Sequence, residues 1–175
     1  MNAVLDLPEP VTPPTPVRSV KRKILLVDDE HAIRKMLTRL LTGEDYDVVS
    51  AANGAEALEL ASRGDFDLAL LDLNMPGLDG WDTYEQLTAK KPLLPVIVIT
   101  ARPNQRFTAL AAGTGALMEK PLDLNKLFAT IRELLEEPDD ARIARMAGRP
   151  SEFHYVPPKM HELDLEEDTK TWRSH

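Results

Sequence analysis

The sequence contains no cysteine, which excludes disulfide bonds, thiolate zinc sites and cysteine nucleophiles. It also lacks an excess of basic residues, since 21 Lys and Arg stand against 29 Asp and Glu, for a formal net charge of −8. This balance argues against non-specific binding to nucleic acid or to anionic membranes, both of which need a basic surface. It is compatible with binding of a divalent cation.

Long hydrophobic runs are missing as well. No stretch approaches the roughly 18 consecutive apolar residues that a membrane-spanning helix needs. Residues 1–7 have neither the basic start nor the apolar core of a secretory signal. We therefore expect a cytoplasmic protein.

Three regions differ in composition. Residues 1–22 contain five prolines and predict a flexible, proline-rich arm. Residues 23–137 carry regular apolar patterns and are long enough to bury a core. Residues 138–175 predict one short helix followed by a flexible polar tail, with no effector domain.

The middle region repeats a strand pattern followed by a helix pattern five times. The apolar strand segments are 24–27, 46–51, 68–71, 95–100 and 116–118. Strands that alternate with helices predict an α/β fold, in which a parallel sheet is covered on both faces. With five strands and right-handed crossovers, we expect a flavodoxin-like, doubly wound (βα)5 domain with strand order 2-1-3-4-5.

Polar residues follow these strands at their carboxyl ends. Asp28 and Asp29 follow the first strand, Asp72 the third, Thr100 ends the fourth, and Lys120 follows the fifth. In such a sheet, ligands bind at this edge where the strand order reverses, here between strands 1 and 3. Three carboxylates in one crevice need a counter-charge, and either Mg²⁺, which prefers oxygen ligands, or Lys120 can supply it.

Each of these residues also has a purely structural interpretation. Asp28 and Asp29 could cap the following helix, and Asp72 could cap the loop after its strand. Thr100 could simply end a strand, and Lys120 could lie in a solvated turn. Their convergence at one edge of the sheet favours a functional site.

In these motifs the chain resembles the receiver domains of bacterial two-component response regulators, and is similar to the chemotaxis response regulator. The matching motifs are Leu-Leu-Val-Asp-Asp-Glu around Asp28, Leu-Leu-Asp-Leu-Asn-Met-Pro-Gly around Asp72, Thr-Ala after Val-Ile-Val-Ile, and Lys-Pro at 120–121. The resemblance covers about residues 23–137.

The resemblance implies that Asp72 accepts a phosphoryl group from a phosphohistidine on a sensor histidine kinase or a histidine phosphotransfer protein. Asp29, Asp72 and the backbone carbonyl of Asn74 would ligate Mg²⁺, and Asp28 would act through metal-bound water.

It further implies that Lys120 pairs with Asp72 and then with a phosphoryl oxygen, while Thr100 hydrogen-bonds the phosphoryl group and moves with it. Such a protein catalyses its own phosphorylation and dephosphorylation as a signalling protein, not as a turnover enzyme. Its output would pass through an unidentified partner protein or through onward phosphorelay.

Two positions concern the switch and the lifetime of the phosphoryl group. Family members often carry Tyr or Phe three residues before the lysine, and Leu117 stands there instead. Leucine either alters the switch or simply fills the core. Arg102 and Asn74 are candidates for screening Asp72 from attacking water, whereas Arg106 is expected to be a solvated residue at a helix start.

Two other functions remain as alternatives. An aspartate-nucleophile phosphohydrolase would carry a second acid two residues after the nucleophile, where this chain has Asn74, and its nucleophile tends to lie on an early strand. A docking module that works without phosphorylation would not need the acidic pair Asp28 and Asp29 together with Asp72, Thr100 and Lys120.

Overall fold

The computed structural model describes residues 21–77, 79–147 and 153–159. The strands are β1 (Lys23–Val27), β2 (Asp47–Ala51), β3 (Leu68–Asp72), β4 (Val96–Thr100), β5 (Ala116–Glu119) and β6 (His154–Val156). The helices are α1 (His31–Gly43), α2 (Gly54–Arg63), α3 (Gly80–Lys90), α4 (Arg106–Ala112), α5 (Leu124–Glu136) and α6 (Asp139–Met146). The five predicted strand–helix repeats are therefore confirmed.

The six strands found in the described residues are all parallel and follow the order β2-β1-β3-β4-β5-β6. The predicted flavodoxin-like order 2-1-3-4-5 is confirmed, and one further strand extends the sheet at β5. The central strands β3 and β4 are buried along their whole length. Their near-continuous apolar sequences suit strands that have helices on both faces.

Two apolar clusters fill the space between the sheet and its helices. On one face, Leu71 and Val98 pack with residues of α2, α3 and α4, among them Ala57 and Leu87. On the other face, Leu26, Leu70 and Ile97 pack with residues of α1 and α5. The alternate residues of each strand point to opposite faces, so one strand serves both clusters.

Polar caps fix where two helices begin. The side chain of Asn53 accepts a hydrogen bond from the amide of Glu56 at the start of α2. The side chain of Asp123 accepts from the amides of Asn125 and Lys126 at the start of α5. These caps set the lengths of the loops that leave the strand ends.

The C-terminal region differs from the expected flexible tail, because residues 154–156 form β6 on the outer edge of β5. The segment is short and only half-buried, and it has no apolar run. Its sequence therefore lacks the apolar pattern that would predict a strand. The predicted helix before it is present as α6. The predicted proline-rich arm lies almost wholly outside the described residues, as does the tail beyond residue 159.

Among the described residues, none of the helices has the length and apolar character needed to cross a membrane.

Candidate functional site

The carboxyl ends of β1 and β3 bring three carboxylates together. One oxygen from each of Asp28, Asp29 and Asp72 lies within 4.8 Å of the others. Asp28 and Asp72 are each only 2% exposed, whereas Asp29 is open to solvent. The acidic crevice predicted from the strand ends is therefore present, with two walls buried and one side accessible.

Asp28 is held by the loop that leaves β1. Its Oδ1 accepts a hydrogen bond from the amide of Glu30 at 2.8 Å, and its backbone carbonyl accepts from Arg34 at 2.6 Å. The N-cap position of α1 is Glu30, so neither acid of the pair occupies it. Burial raises the pKa of Asp28 above its usual value, and the nearby Asp72 charge adds to that rise, although hydrogen bonds and Lys120 oppose it.

Asp72 is the last residue of β3, and both of its oxygens have partners. Oδ1 accepts from the amide of Asn74 at 2.9 Å, and Oδ2 accepts from the ammonium of Lys120 at 2.7 Å. The bond from Asn74 is the loop cap that the structural alternative envisaged. The contact with Lys120 is a charge-assisted hydrogen bond at nearly full burial, which a cap alone does not require.

Lys120 reaches both buried acids from the end of β5. Its Nζ lies 2.7 Å from Asp72 and 3.5 Å from Asp28, so it does not lie in a solvated turn. Burial disfavours its charged form, but the hydrogen bonds and charges of Asp72 and Asp28 outweigh that cost and raise the pKa of Lys120. The ammonium is therefore a fixed positive charge in the crevice.

Thr100 is fully buried at the end of β4, and its hydroxyl is part of a small network. It donates to Oδ1 of Asn74 at 3.0 Å and accepts from the amide of Arg102 at 2.9 Å. The same Asn74 oxygen accepts from the amide of Ala101 at 3.1 Å. Asn74 thus joins the loop after β3 to the loop after β4, a link that the sequence analysis did not predict.

The remaining predicted positions lie around this network. Leu117 is fully buried in the apolar cluster that lies on the α2–α4 face, which agrees with the core-filling interpretation. The guanidinium of Arg102 donates to Asp79 at 3.1 Å. Arg106 begins α4 and is exposed as expected, but it also lies 4.9 Å from the ring centroid of Tyr155 in β6.

Gly80, at the start of α3, shows why the loop after Asp72 needs a glycine. A Cβ at this position would lie 2.4 Å from the Cα of Leu73. The helix therefore packs directly on the backbone that follows Asp72. The spacing of residues in the sequence does not indicate this close approach.

The chain was compared with known protein families, curated proteins and solved structures. The family model described as "Response regulator receiver domain" matches residues 24–132. Response regulator MprA of Mycobacterium leprae is 42% identical over 123 residues, which are 68% of this chain and 54% of that protein. A probable transcriptional regulator of Porphyridium aerugineum, ycf27, is 41% identical over 123 residues, with 69% of this chain and 51% of that protein covered. The chain thus spans about half the length of the curated relatives that it matches.

Solved structures agree with the fold. A CheY-like response regulator receiver domain protein from Methanospirillum hungatei superposes with a TM-score of 0.64 at 29% identity, covering 71% of this chain and 98% of that chain. The response regulator TrrA from Thermotoga maritima, crystallised in complex with Mg²⁺ and BeF, gives a TM-score of 0.61 at 32% identity. The match covers 65% of this chain and 98% of that one.

Proposed function

The chain belongs to the response regulator receiver family of two-component systems, and on that premise we propose that it accepts a phosphoryl group on Asp72. The observation that carries this proposal is the setting of one carboxylate. Asp72 is buried, lies beside two further acids, and has an ammonium hydrogen-bonded to one oxygen. Carboxylates in such settings form aspartyl phosphates.

The acidic crevice fits Mg²⁺ by the chemistry of its donors. Oxygen atoms of Asp28, Asp29 and Asp72 lie close enough to share one ion, and hard oxygen ligands are those that Mg²⁺ takes. We infer that Asp29, Asp72 and the backbone carbonyl of Asn74 hold the ion, and that Asp28 contributes through water. When bound, Mg²⁺ neutralises charge on the phosphoryl oxygens and on the attacking carboxylate.

The transfer itself needs positioning more than covalent help. An oxygen of Asp72 attacks the phosphorus of a phosphohistidine, the new P–O bond forms as the P–N bond breaks, and the imidazole leaves. The ammonium of Lys120 can exchange its hydrogen bond to the Asp72 oxygen for one to a phosphoryl oxygen while it stays in the crevice. Although burial opposes it, Asp72 and Asp28 raise the pKa of Lys120, so the ammonium is charged before the transfer begins.

We propose that Thr100 is the residue that responds to the new group. Its hydroxyl now bonds Asn74 and Arg102, and a phosphoryl oxygen would be a stronger acceptor for it. Leu117 is fully buried within the core, as a core-filling residue would be. Its role in the switch therefore stays a prediction. Arg102 and Asn74 stay candidates for limiting attack by water on the aspartyl phosphate.

We propose that the phosphoryl donor is a sensor histidine kinase or a histidine phosphotransfer protein. The output would then pass to a partner protein or to a further phosphorelay step. The cytoplasmic location inferred from the sequence also stays a prediction.

The proposal is tested by incubating the protein with Mg²⁺ and acetyl phosphate and measuring intact mass. We expect a gain of one phosphoryl group that requires Mg²⁺ and is lost in Asp72→Asn. Asp82→Asn, the same change at an exposed acid of α3, should keep the gain. A folded wild-type protein that gains no mass would rule out phosphoacceptor function. Release of phosphate from small phosphomonoesters over many turnovers would instead support the phosphohydrolase alternative.

A further inference from the structure

The edge of β5 is covered by residues 153–159 of the same chain. Cα positions of β6 pair with β5 in parallel register, with Ala116 opposite His154 and Met118 opposite Val156. The amide of His154 donates to the carbonyl of Gly115 at 3.3 Å, and the amide of Lys159 donates to the carbonyl of Pro121 at 3.0 Å. The strand thus runs alongside β5 toward the acidic crevice.

Tyr155 makes the side-chain contacts that distinguish this segment. Its hydroxyl donates to Oε1 of Glu119 at 3.1 Å, and its ring lies 4.9 Å from the guanidinium carbon of Arg106. The ring also packs against the cluster that contains Leu117, its Cα partner in β5. One aromatic side chain therefore touches both β5 and the first residue of α4.

The two residues that Tyr155 contacts, Glu119 and Arg106, lie close in sequence to residues at the acidic crevice. Glu119 precedes Lys120, whose ammonium bonds Asp72 and whose amide donates to the carbonyl of Thr100 at 2.8 Å. Arg106 ends the loop in which the amide of Arg102 donates to the hydroxyl of Thr100. Tyr155 is thus connected to the crevice in two ways, through Glu119 of β5 and through the loop between β4 and α4.

We propose that residues 153–159 form a detachable strand that occupies the β5 edge as an intramolecular ligand and is released by phosphorylation of Asp72. Tyr155 is the residue through which release is controlled. This inference rests on the proposed phosphoacceptor function and adds to it a specific surface that changes with phosphorylation.

The direction of the coupling follows from the bonds of Thr100. When its hydroxyl turns to a phosphoryl oxygen, it gives up its contacts with Asn74 and with the amide of Arg102. The loop that carries Arg106 then loses an anchor, and the cation–π contact with Tyr155 weakens. The other side-chain contacts of the segment are the packing of Phe153 and Val156, which are only partly buried, and an exposed ion pair of His154 with Glu133. Because partly buried and exposed contacts of an edge strand stabilise it weakly, the strand then separates from β5.

The first test needs no phosphorylation and uses hydrogen exchange measured by mass spectrometry on the full chain. Thr100→Val removes the hydroxyl and keeps the shape. We expect amide exchange in peptides from 153–159 to become about fivefold faster, the factor that corresponds to one net hydrogen bond of about 1 kcal/mol. Thr88→Val, the same change on α3, should leave these peptides unchanged. Exchange in β1 and β3 reports whether each variant is folded.

Tyr155→Phe tests the docking contact directly, because it removes only the hydroxyl that bonds Glu119. We expect about fivefold faster exchange in 153–159, with no such change in Tyr46→Phe, which alters a tyrosine outside β6. Unchanged exchange in 153–159 of folded Thr100→Val would overturn the coupling. Unchanged exchange in folded Tyr155→Phe would overturn the role of Tyr155.

The second test compares the wild-type protein before and after acetyl phosphate and Mg²⁺, with intact mass recorded on the same sample. A mass gain with at least fivefold faster exchange in 153–159 supports release. A mass gain with unchanged or slower exchange overturns it. If no mass is gained while Thr100→Val still loosens the segment, the phosphoacceptor function fails, and phosphorylation-driven release fails with it. The link from Thr100 to Tyr155 would then stand as a property of the fold.

Discussion

Replacing Lys120 by methionine tests whether its ammonium holds the acidic crevice together. Methionine has a similar length and no charge, so the substitution removes the cation with little change in volume. Asp72 then loses its 2.7 Å partner and Asp28 its 3.5 Å partner. Both carboxylates stay buried, because the sheet and its loops still surround them.

The expected loss of stability lies between the values known for two kinds of ion pair. Removing one partner of a fully buried pair costs about 3–5 kcal/mol, whereas an exposed pair contributes about 0.2–1 kcal/mol. The side chain of Lys120 is 25% exposed and those of Asp28 and Asp72 are 2–3% exposed. The site lies nearer the buried limit, so we expect Lys120→Met to lower the free energy of unfolding by about 2–3 kcal/mol.

The assay is urea unfolding followed by circular dichroism at pH 7 in the presence of a chelator. Lys126→Met, at an exposed position of α5, is the matched control and should change stability by no more than about 0.5 kcal/mol. The deficit of Lys120→Met should shrink as the pH falls through the raised pKa of Asp28, because protonation of this acid removes a charge that the lysine neutralised. A deficit no larger than that of Lys126→Met would refute the reasoning.

Three further substitutions test the surroundings of the site. Gly80→Ala should lower the free energy of unfolding by about 1–3 kcal/mol, because its Cβ would meet the backbone of Leu73 at 2.4 Å. Gly43→Ala is the control and should not lower it, since nothing lies within 4 Å of a Cβ there. Thermal denaturation measures both variants. Burial raises the pKa of Tyr84 from 10.0 to about 12, so its stabilising contribution is complete below pH 10 and falls as the pH rises toward 12. Wild type should therefore lose stability relative to Tyr84→Phe in paired alkaline denaturation. Asp28 has a raised pKa, so its ionisation opposes folding at neutral pH. Asp28→Asn should raise stability at pH 7 without Mg²⁺, and the gain should vanish below pH 3.8; equal stability at pH 7 would contradict the cost of its charge.

The fold and the acidic crevice could be predicted because they depend on patterns that extend over many residues. Continuous apolar runs such as those of β3 and β4 are typical of strands in a parallel sheet whose two faces are covered by helices. Because parallel strands share one carboxyl edge, the sequence also predicts that Asp72 lies beside Asp28 and Lys120.

The contacts that escaped prediction depend on individual side chains and not on periodicity. The bond between Thr100 and Asn74 joins two loops, and no spacing in the sequence indicates which loop residues meet. Met36 follows the helical apolar spacing of α1, yet it is 43% exposed. The apolar stripe on this helix is wider than the surface that α1 buries. β6 is three residues long, so its position depends on an available edge and on Tyr155 finding Glu119 and Arg106.

The charges of the site bear on the proposed release of β6. Three carboxylates and one ammonium leave two negative charges in excess when all four groups are ionised. A divalent cation balances that excess, whereas an aspartyl phosphate replaces one charge of Asp72 by roughly two and restores an imbalance. The ammonium of Lys120 and the hydroxyl of Thr100 are the groups that can turn toward the new charge. Lys120 follows Glu119, which accepts the bond from Tyr155, and Thr100 bonds the loop that leads to Arg106. The proposed release of β6 requires that a change of charge at Asp72 reaches Tyr155 through these two residues.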